Sequence, residues 1–240
     1  MIKIDSVSKT YNNKIKAIDN LSLDISSGEI VGFIGLNGAG KTTLIKMLTG
    51  IIRPDSGHIE IDGLDIVKDS LEAKKKIGYI SDNPDLFLRL TGLEFVNFIA
   101  DIYNVDLQTR KERIEYFSKK FDLADILGKP MQGYSHGNRQ KMMVVAALVH
   151  SPKVWILDEP LIGLDPKSAL VLKNMMVEHA KAGNTVFFST HVLEIAEKLC
   201  DKVAIIDRGR IVYFGTLAQL KKEYNQDDLE NIFMEVDQGE

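Results

Sequence analysis

The sequence predicts an α/β fold: a mainly parallel sheet with helices on both faces, an antiparallel β-subdomain at the N-terminal end, and an inserted α-helical subdomain. Three observations predict it. Short continuous apolar runs at Ile30 to Gly35, Val154 to Leu157, Thr185 to Phe188 and Val203 to Ile206 read as buried parallel strands. Helical segments alternate with them near Pro166 to Ala182 and Val192 to Leu199, as a two-sided α/β layer requires. Between Pro84 and about His150 the pattern turns helical throughout, too long a stretch to be a simple crossover.

In chain order, Ile2 to Val7 and Ile15 to Ile25 alternate apolar with polar residues around the polar pair Asn12 and Asn13, which predicts a β-hairpin. The strand at Ile30 leads through a glycine-rich loop into a helix over Lys41 to Leu48, stopped by Gly50. The turn Arg53-Pro54-Asp55-Ser56-Gly57 precedes a short strand carrying Ile59 and Ile61, and Ile77 to Ser81 is a further strand. Thr91 with Glu94 forms a capping box, and Phe95, Phe98, Ile99 and Ile102 keep one-face helical spacing behind it. Asp227 with Glu230, followed by Leu229, Ile232, Phe233 and Val236, predicts a last amphipathic helix.

A chain of 240 residues buries one good core, or a core with a small subdomain. One unit over 1–240 is expected: 1–84 and 151–220 as a catalytic core with the β-subdomain, 85–150 as the helical subdomain, 221–240 as a terminal helix or tail. Thirty basic against 34 acidic residues leave a net charge of −4 and no positive field to draw nucleic acid. The single cysteine, Cys200, excludes an internal disulfide framework, and the five histidines lack paired zinc-ligand spacing. The N-terminal stretch has no basic-then-apolar leader pattern, and no apolar run approaches the ~20 residues that span a bilayer. These features fit a reducing cytoplasm, with any membrane role exercised through a partner.

Residues 35 to 42 read GLNGAGKT and match the phosphate-binding loop G-x-x-x-x-G-K-[ST] between a strand and a helix. Gly38 and Gly40 let backbone N–H groups turn inward and the helix start adds a partial positive charge; Lys41 is expected to reach the β- and γ-phosphates and the Thr42 hydroxyl to ligate Mg²⁺. The glycine spacing differs from the G-x-G-x-x-G of dinucleotide loops. VWILDE over 154–159 ends an apolar strand in two adjacent carboxylates, which are costly there without a cation or a reacting water. Asp158 is expected to hold Mg²⁺ through its water shell and Glu159 to polarise the attacking water.

Together with YSHGNRQ over 134–140, these motifs resemble the ABC ATPases along essentially the whole chain. The resemblance implies a RecA-like P-loop NTPase core and ATP with Mg²⁺ as ligands. Phosphate-loop contacts would come from Gly35, Asn37, Gly38, Ala39, Gly40, Lys41, Thr42 and Thr43. Ser135, Gly137 and Asn138 would form the signature that binds the γ-phosphate of ATP held by another subunit; read alone, Ser135 is a helix N-cap. Tyr11 would stack on adenine, His191 would contact the γ-phosphate as the switch histidine, and Asp165 in GLD would belong to the loop coupling two sites. In isolation these three read as surface packing, a structural histidine and a generic turn.

At the position where the family has Gln or Glu stands Asp82, one methylene shorter, which is either a metal contact made through water or a turn residue before Pro84. The pattern is most similar to ABC-2-type bacterial exporters of drugs, peptides or polysaccharides. The implied partners are an integral-membrane permease and a second ATP-binding subunit, identical (a homodimer) or different (a heterodimer), the implied place the cytoplasmic face of the cell membrane. Two further readings share the loop: a small-molecule phosphotransferase, which leaves the signature unexplained, and a non-hydrolysing ATP sensor, against which Glu159 and His191 argue. Nucleic-acid ABC proteins carry tandem cassettes or a long coiled-coil insertion that this chain lacks.

Overall fold

The computed structural model describes residues 1–240 except 13, 86, 227, 228, 230 and 233–240. The chain opens with β1 (Ile2–Tyr11) and β2 (Ile15–Ile25), antiparallel as their alternation predicts, with the turn closed by Lys14 N–H donating to Tyr11 O at 3.1 Å. β3 (Ile30–Ile34) is buried at every position, ends one residue before the expected Gly35, and runs into α1 (Lys41–Leu48), which has the bounds the sequence sets. Gly50, at φ +65°, ends that helix by donating to Met47 O.

Next come β4 (Ser56–Ile61), β5 (Leu64–Asp65), α2 (Ser70–Lys75) and β6 (Ile77–Ile80). The insert contains α3 (Gly92–Ile102), α4 (Leu107–Lys120) and α5 (His136–Leu148), with two short 3-10 turns between α4 and α5. The return to the core supplies β7 (Val154–Leu157), α6 (Pro166–Lys181), β8 (Thr185–Thr190), α7 (Leu193–Leu199), β9 (Lys202–Asp207), β10 (Arg210–Gly215) and α8 (Leu217–Glu223). Of the expected last helix, Asp227, Glu230, Phe233 and Val236 lie outside the described residues, while Leu229 and Ile232 are buried against Val203, Ile205 and Leu220.

Two sheets result. An antiparallel one has the order β2-β1-β4-β5; the other, β10-β9-β3-β8-β7-β6, is parallel except for β10. α1 fills the space between them, its Leu44, Ile45, Met47 and Leu48 packing with Ile2, Ile4, Ile59 and Phe33 in one apolar cluster. A second cluster joins Trp155, Leu157 and Phe188 of the parallel sheet to α5, α6 and the insert, so the insert shares its core with the sheet.

Register decides where function can sit. Ile34 lies opposite Thr190, Leu157 opposite Phe188, and Ile80 opposite Leu157. Because these strands are adjacent and parallel, the residues that follow them, Gly35, Ser81 and Asp82, Asp158 and Glu159, and His191, all leave along one edge of the sheet. That carboxyl edge is where open α/β sheets bind ligands.

The capping box at Thr91 forms, with Glu94 N–H donating to Thr91 Oγ1 at 3.2 Å and Glu94 Oε2 accepting from Thr91 N–H at 2.8 Å. The apolar stripe behind it differs from expectation. α3 buries Phe95, Val96 and Ala100, while Phe98 and Ile102 are exposed. The helix rests on α5 by one side of its stripe, and Phe87 covers part of the remainder, with ring centroids 5.5 Å from Phe95 and 5.6 Å from Phe98.

Candidate nucleotide-binding site

The loop between β3 and α1 owes its path to glycine. Gly40 sits at φ +114°, and a Cβ there would lie 2.5 Å from the Ala17 carbonyl oxygen, so any side chain meets both backbone strain and a clash. The first intrahelical bond of α1 runs from Leu44 N–H to Gly40 O at 3.0 Å, which leaves the N–H groups of Lys41, Thr42 and Thr43 aimed out of the helix start without helical acceptors. That is an anion-binding terminus. Lys41 is buried and folds back over the loop, its Nζ donating to Gly35 O at 2.6 Å and Leu36 O at 3.0 Å. Burial lowers its pKa, and the carboxylates of Glu159 and Asp158 oppose that shift.

A cleft of about 250 Å³ opens over this loop, lined by Asn37, Gly38, Gly40, Lys41, Thr42, Thr43, Asp82, Asp158, Glu159 and Ala17. Its size suits a phosphate tail, since pockets enclosing whole drug-sized ligands run ~300–1,000 Å³. Gly35 and Ala39 shape the loop from beneath; Gly35 lies where a Cβ would meet Ile206 O at 2.6 Å. Tyr11, at the end of β1, is exposed and is not among the lining residues, whereas Ala17, which the sequence reading passed over, is.

Asp158 and Glu159 leave β7 at the cleft. Asp158 is buried, and its Oδ1 accepts from the Ser189 hydroxyl at 2.5 Å. Its Oδ2 is buried with no hydrogen-bond partner among the described residues. Burial pushes its carboxyl above the usual range; the hydroxyls of Ser189 and Thr42 counter this, and the charges of Asp82 and Glu159 add to it. An orphaned carboxylate oxygen beside two more carboxylates and a threonine hydroxyl suits a hard, oxygen-preferring cation. Among the described residues no three His, Cys, Asp or Glu side chains converge to hold a metal by themselves.

Glu159 adopts φ +48°, an uncommon conformation for a residue with a Cβ, and its N–H donates to Ser189 Oγ at 2.9 Å. Its Oε1 lies 3.0 Å from His191 Nδ1, just past β8. Of the expected site residues, the structure thus brings Lys41, Thr42, Asp82, Asp158, Glu159 and His191 into one neighbourhood.

The YSHGNRQ residues stand elsewhere. Ser135 caps α5, accepting from Asn138 N–H at 3.3 Å, and neither it, Gly137 nor Asn138 lines the cleft. A Cβ at Gly137 would lie 2.8 Å from Gly163 O, which makes this glycine the condition for close packing of α5 on the loop before α6. Asp165 caps α6 through Ser168 N–H at 3.0 Å and pairs with Lys141 Nζ at 3.3 Å. The Ser168 hydroxyl and N–H hold its carboxyl well below the usual range, with Lys141 adding to the effect. Arg139, whose role the sequence did not suggest, donates to Met131 O and Gln132 O and pairs with Asp85 at 2.6 Å, tying α5 to the segment after Asp82.

The family model described as ABC transporter matches residues 18–162. The chain belongs to the ABC transporter family. The ABC transporter ATP-binding protein NatA of Bacillus subtilis (strain 168) is 35% identical over 238 residues, covering 98% of this chain and 97% of that one. Daunorubicin resistance ATP-binding protein DrrA3 of Streptomyces coeruleorubidus is 33% identical over 237 residues, covering 99% of this chain and 75% of its own length. A solved dimeric structure of a post-hydrolysis state of the ATP-binding cassette MJ0796 bound to ADP and Pi superposes with a TM-score of 0.81 at 25% identity, covering 90% of this chain and 99% of that one. This ABC transporter chain is therefore an ATP-binding subunit with the P-loop NTPase fold, and an ATPase.

Proposed function

We propose that the chain works as one half of a Mg²⁺-dependent motor in which each ATP lies between the phosphate loop of one copy and the Ser135 helix start of another, and that closure and opening of this pair drive a separate permease in the export direction. One observation carries the reading: within one protomer, Ser135, Gly137 and Asn138 do not line the cleft of Lys41 and Glu159. A signature with the chemistry of an anion site but no phosphate pocket of its own calls for a second subunit, and the dimeric MJ0796 structure supports that arrangement.

In this reading Gly38, Gly40 and the first N–H groups of α1 hold the β- and γ-phosphates, Lys41 exchanges its carbonyl partners for them, and Tyr11 covers the adenine beyond the cleft. Thr42 and Asp158, with Asp82 through water, hold Mg²⁺, which when bound offsets phosphate charge. Glu159 takes the proton of the attacking water as the bond from the γ-phosphorus to ADP breaks. His191 orients that carboxylate and faces the terminal phosphate. Asp165, joined to Lys141 of the signature helix, passes the state of one site toward the other.

Residues 85–150 act as the moving helical unit. Their exposed Phe87, Phe98 and Ile102 offer an apolar face to a permease segment, and the Arg139–Asp85 pair links that face to the cleft. No described helix is long and apolar enough to cross a membrane, so the permease would hold the chain at the cytoplasmic face. The named drug-resistance relative supports export.

The test is the mass of the Glu159→Gln protein with MgATP in solution. A dimer, with turnover down ~100-fold or more, is expected; an ATP-bound monomer refutes the shared site. Ser135→Arg should keep ATP binding and stop turnover, and loss of binding would place Ser135 in its own protomer's cleft.

A further inference from the structure

The buried hydroxyl of Ser189 has no part in the roles above, yet it touches both acidic residues that follow β7. β7 and β8 run parallel with Leu157 opposite Phe188, so the next residues, Asp158 and Ser189, emerge side by side. Ser189 is fully buried; its Oγ–H donates to Asp158 Oδ1 at 2.5 Å and the same oxygen accepts Glu159 N–H at 2.9 Å. A hydroxyl carries one donor and two acceptor positions, and here one of each is committed to a neighbouring functional residue.

We infer that Ser189 is a positioning residue that sets the metal-facing carboxylate of Asp158 and the backbone of Glu159 with a single hydroxyl. The inference rests on the proposed roles of those two residues. By occupying Asp158 Oδ1, Ser189 fixes the carboxylate's rotation and leaves the buried, unpartnered Oδ2 as the oxygen available to a cation. By accepting from Glu159 N–H, it stabilises the left-handed backbone at φ +48° that swings the Glu159 side chain out of the strand direction toward His191. Alanine in its place would be close in volume to the serine but would carry no hydroxyl. It would also leave one buried acceptor and one buried donor unpaired, both at the residues that meet the phosphate tail.

Partners that orient metal-binding carboxylates typically change metal affinity or activity by ~10–100-fold when removed. Ser189→Ala, or Ser189→Cys as a near-isosteric variant with a weak donor should the alanine protein fold poorly, is titrated with Mg²⁺ while fluorescent ATP binding is followed. Metal-free ATP binding should match the parent. The Mg²⁺ concentration giving half-maximal enhancement should rise about tenfold, with turnover at saturating Mg²⁺ down by a similar factor. In an Asp158→Asn background the same substitution should add no further shift in the Mg²⁺ midpoint. A lowered melting temperature with an unchanged Mg²⁺ midpoint assigns Ser189 a packing role and overturns the inference. Glu159→Gln, run in parallel, separates the failures: retained turnover there defeats the proposed function whatever Ser189 does.

Discussion

Two histidines far from the cleft make the stability of this chain depend on pH. His150 follows α5, its ring stacked on Tyr103 with centroids 3.7 Å apart and its Nε2 3.0 Å from Ile77 O. Burial lowers its pKa to about 4; the Ile77 carbonyl opposes this and Arg113 adds to it. His179 on α6 sits edge-on to Trp155 at 5.6 Å, and burial, with Lys153, brings it also to about 4. Each histidine titrates near 6.5 in the unfolded chain, so the unfolded state binds protons first as pH falls. Stability from these groups is therefore complete above pH ~6.5 and is lost progressively down to about 4. With 1.36 kcal/mol per pKa unit, going from pH 7.5 to 5 costs roughly 2 kcal/mol per histidine, a large share of the ~5–15 kcal/mol that folds a domain. Asp158, shifted upward, acts in the opposite sense, since the folded state takes up its proton more readily. Urea unfolding at pH 7.5 and pH 5 measures the balance. The His150→Gln/His179→Gln protein should lose most of the parent's pH dependence, and an equal drop in both proteins would refute the assignment.

Two more substitutions probe the cleft. Lys41→Ala removes the donor to the Gly35 and Leu36 carbonyls and the cation facing Asp158 and Glu159, and should weaken ATP by about a hundredfold in calorimetric titration; a change under threefold would exclude phosphate contact. Asp82→Gln removes a carboxylate from the cleft lining and should strengthen metal-free ATP binding by on the order of tenfold, read by nucleotide fluorescence in chelator. Unchanged metal-free affinity would reduce Asp82 to a turn residue.

The sequence was most legible where chemistry and local structure coincide. Continuous apolar runs marked β3, β7, β8 and β9, and GLNGAGKT marked the start of α1 to the residue, because a glycine loop entering a helix has few alternatives. β5, α2, β10 and α8 left no clear period, being short or amphipathic over fewer than two turns. Strand order was not legible, since β3 pairs with β8 and β9, far along the chain, and no local pattern encodes that choice. The residues missed at the site follow from this: Ser189 acquires meaning only when β8 lies beside β7, and Ala17 only when the hairpin folds over Gly40. The α3 stripe misled in the other direction, because periodicity reports an apolar face without saying whether this chain covers it.

Charge in the cleft is unbalanced. Lys41 is the one cation among its described lining residues, against the carboxylates of Asp82, Asp158 and Glu159. Such a site repels a bare triphosphate, and the N–H groups at the start of α1 offset only part of that repulsion. In the proposed function, a divalent cation beside Asp158 Oδ2 and a further anion-seeking group on the open side of the cleft would offset the rest. Within the protomer, the capped start of α5 has that chemistry but does not line the cleft. The imbalance that disfavours metal-free ATP in a lone subunit is the one that a metal and a second copy's Ser135 would correct, so Lys41 and Asp82 variants should change affinity and its metal dependence, while Ser135 variants should change assembly and turnover and leave ATP binding in place.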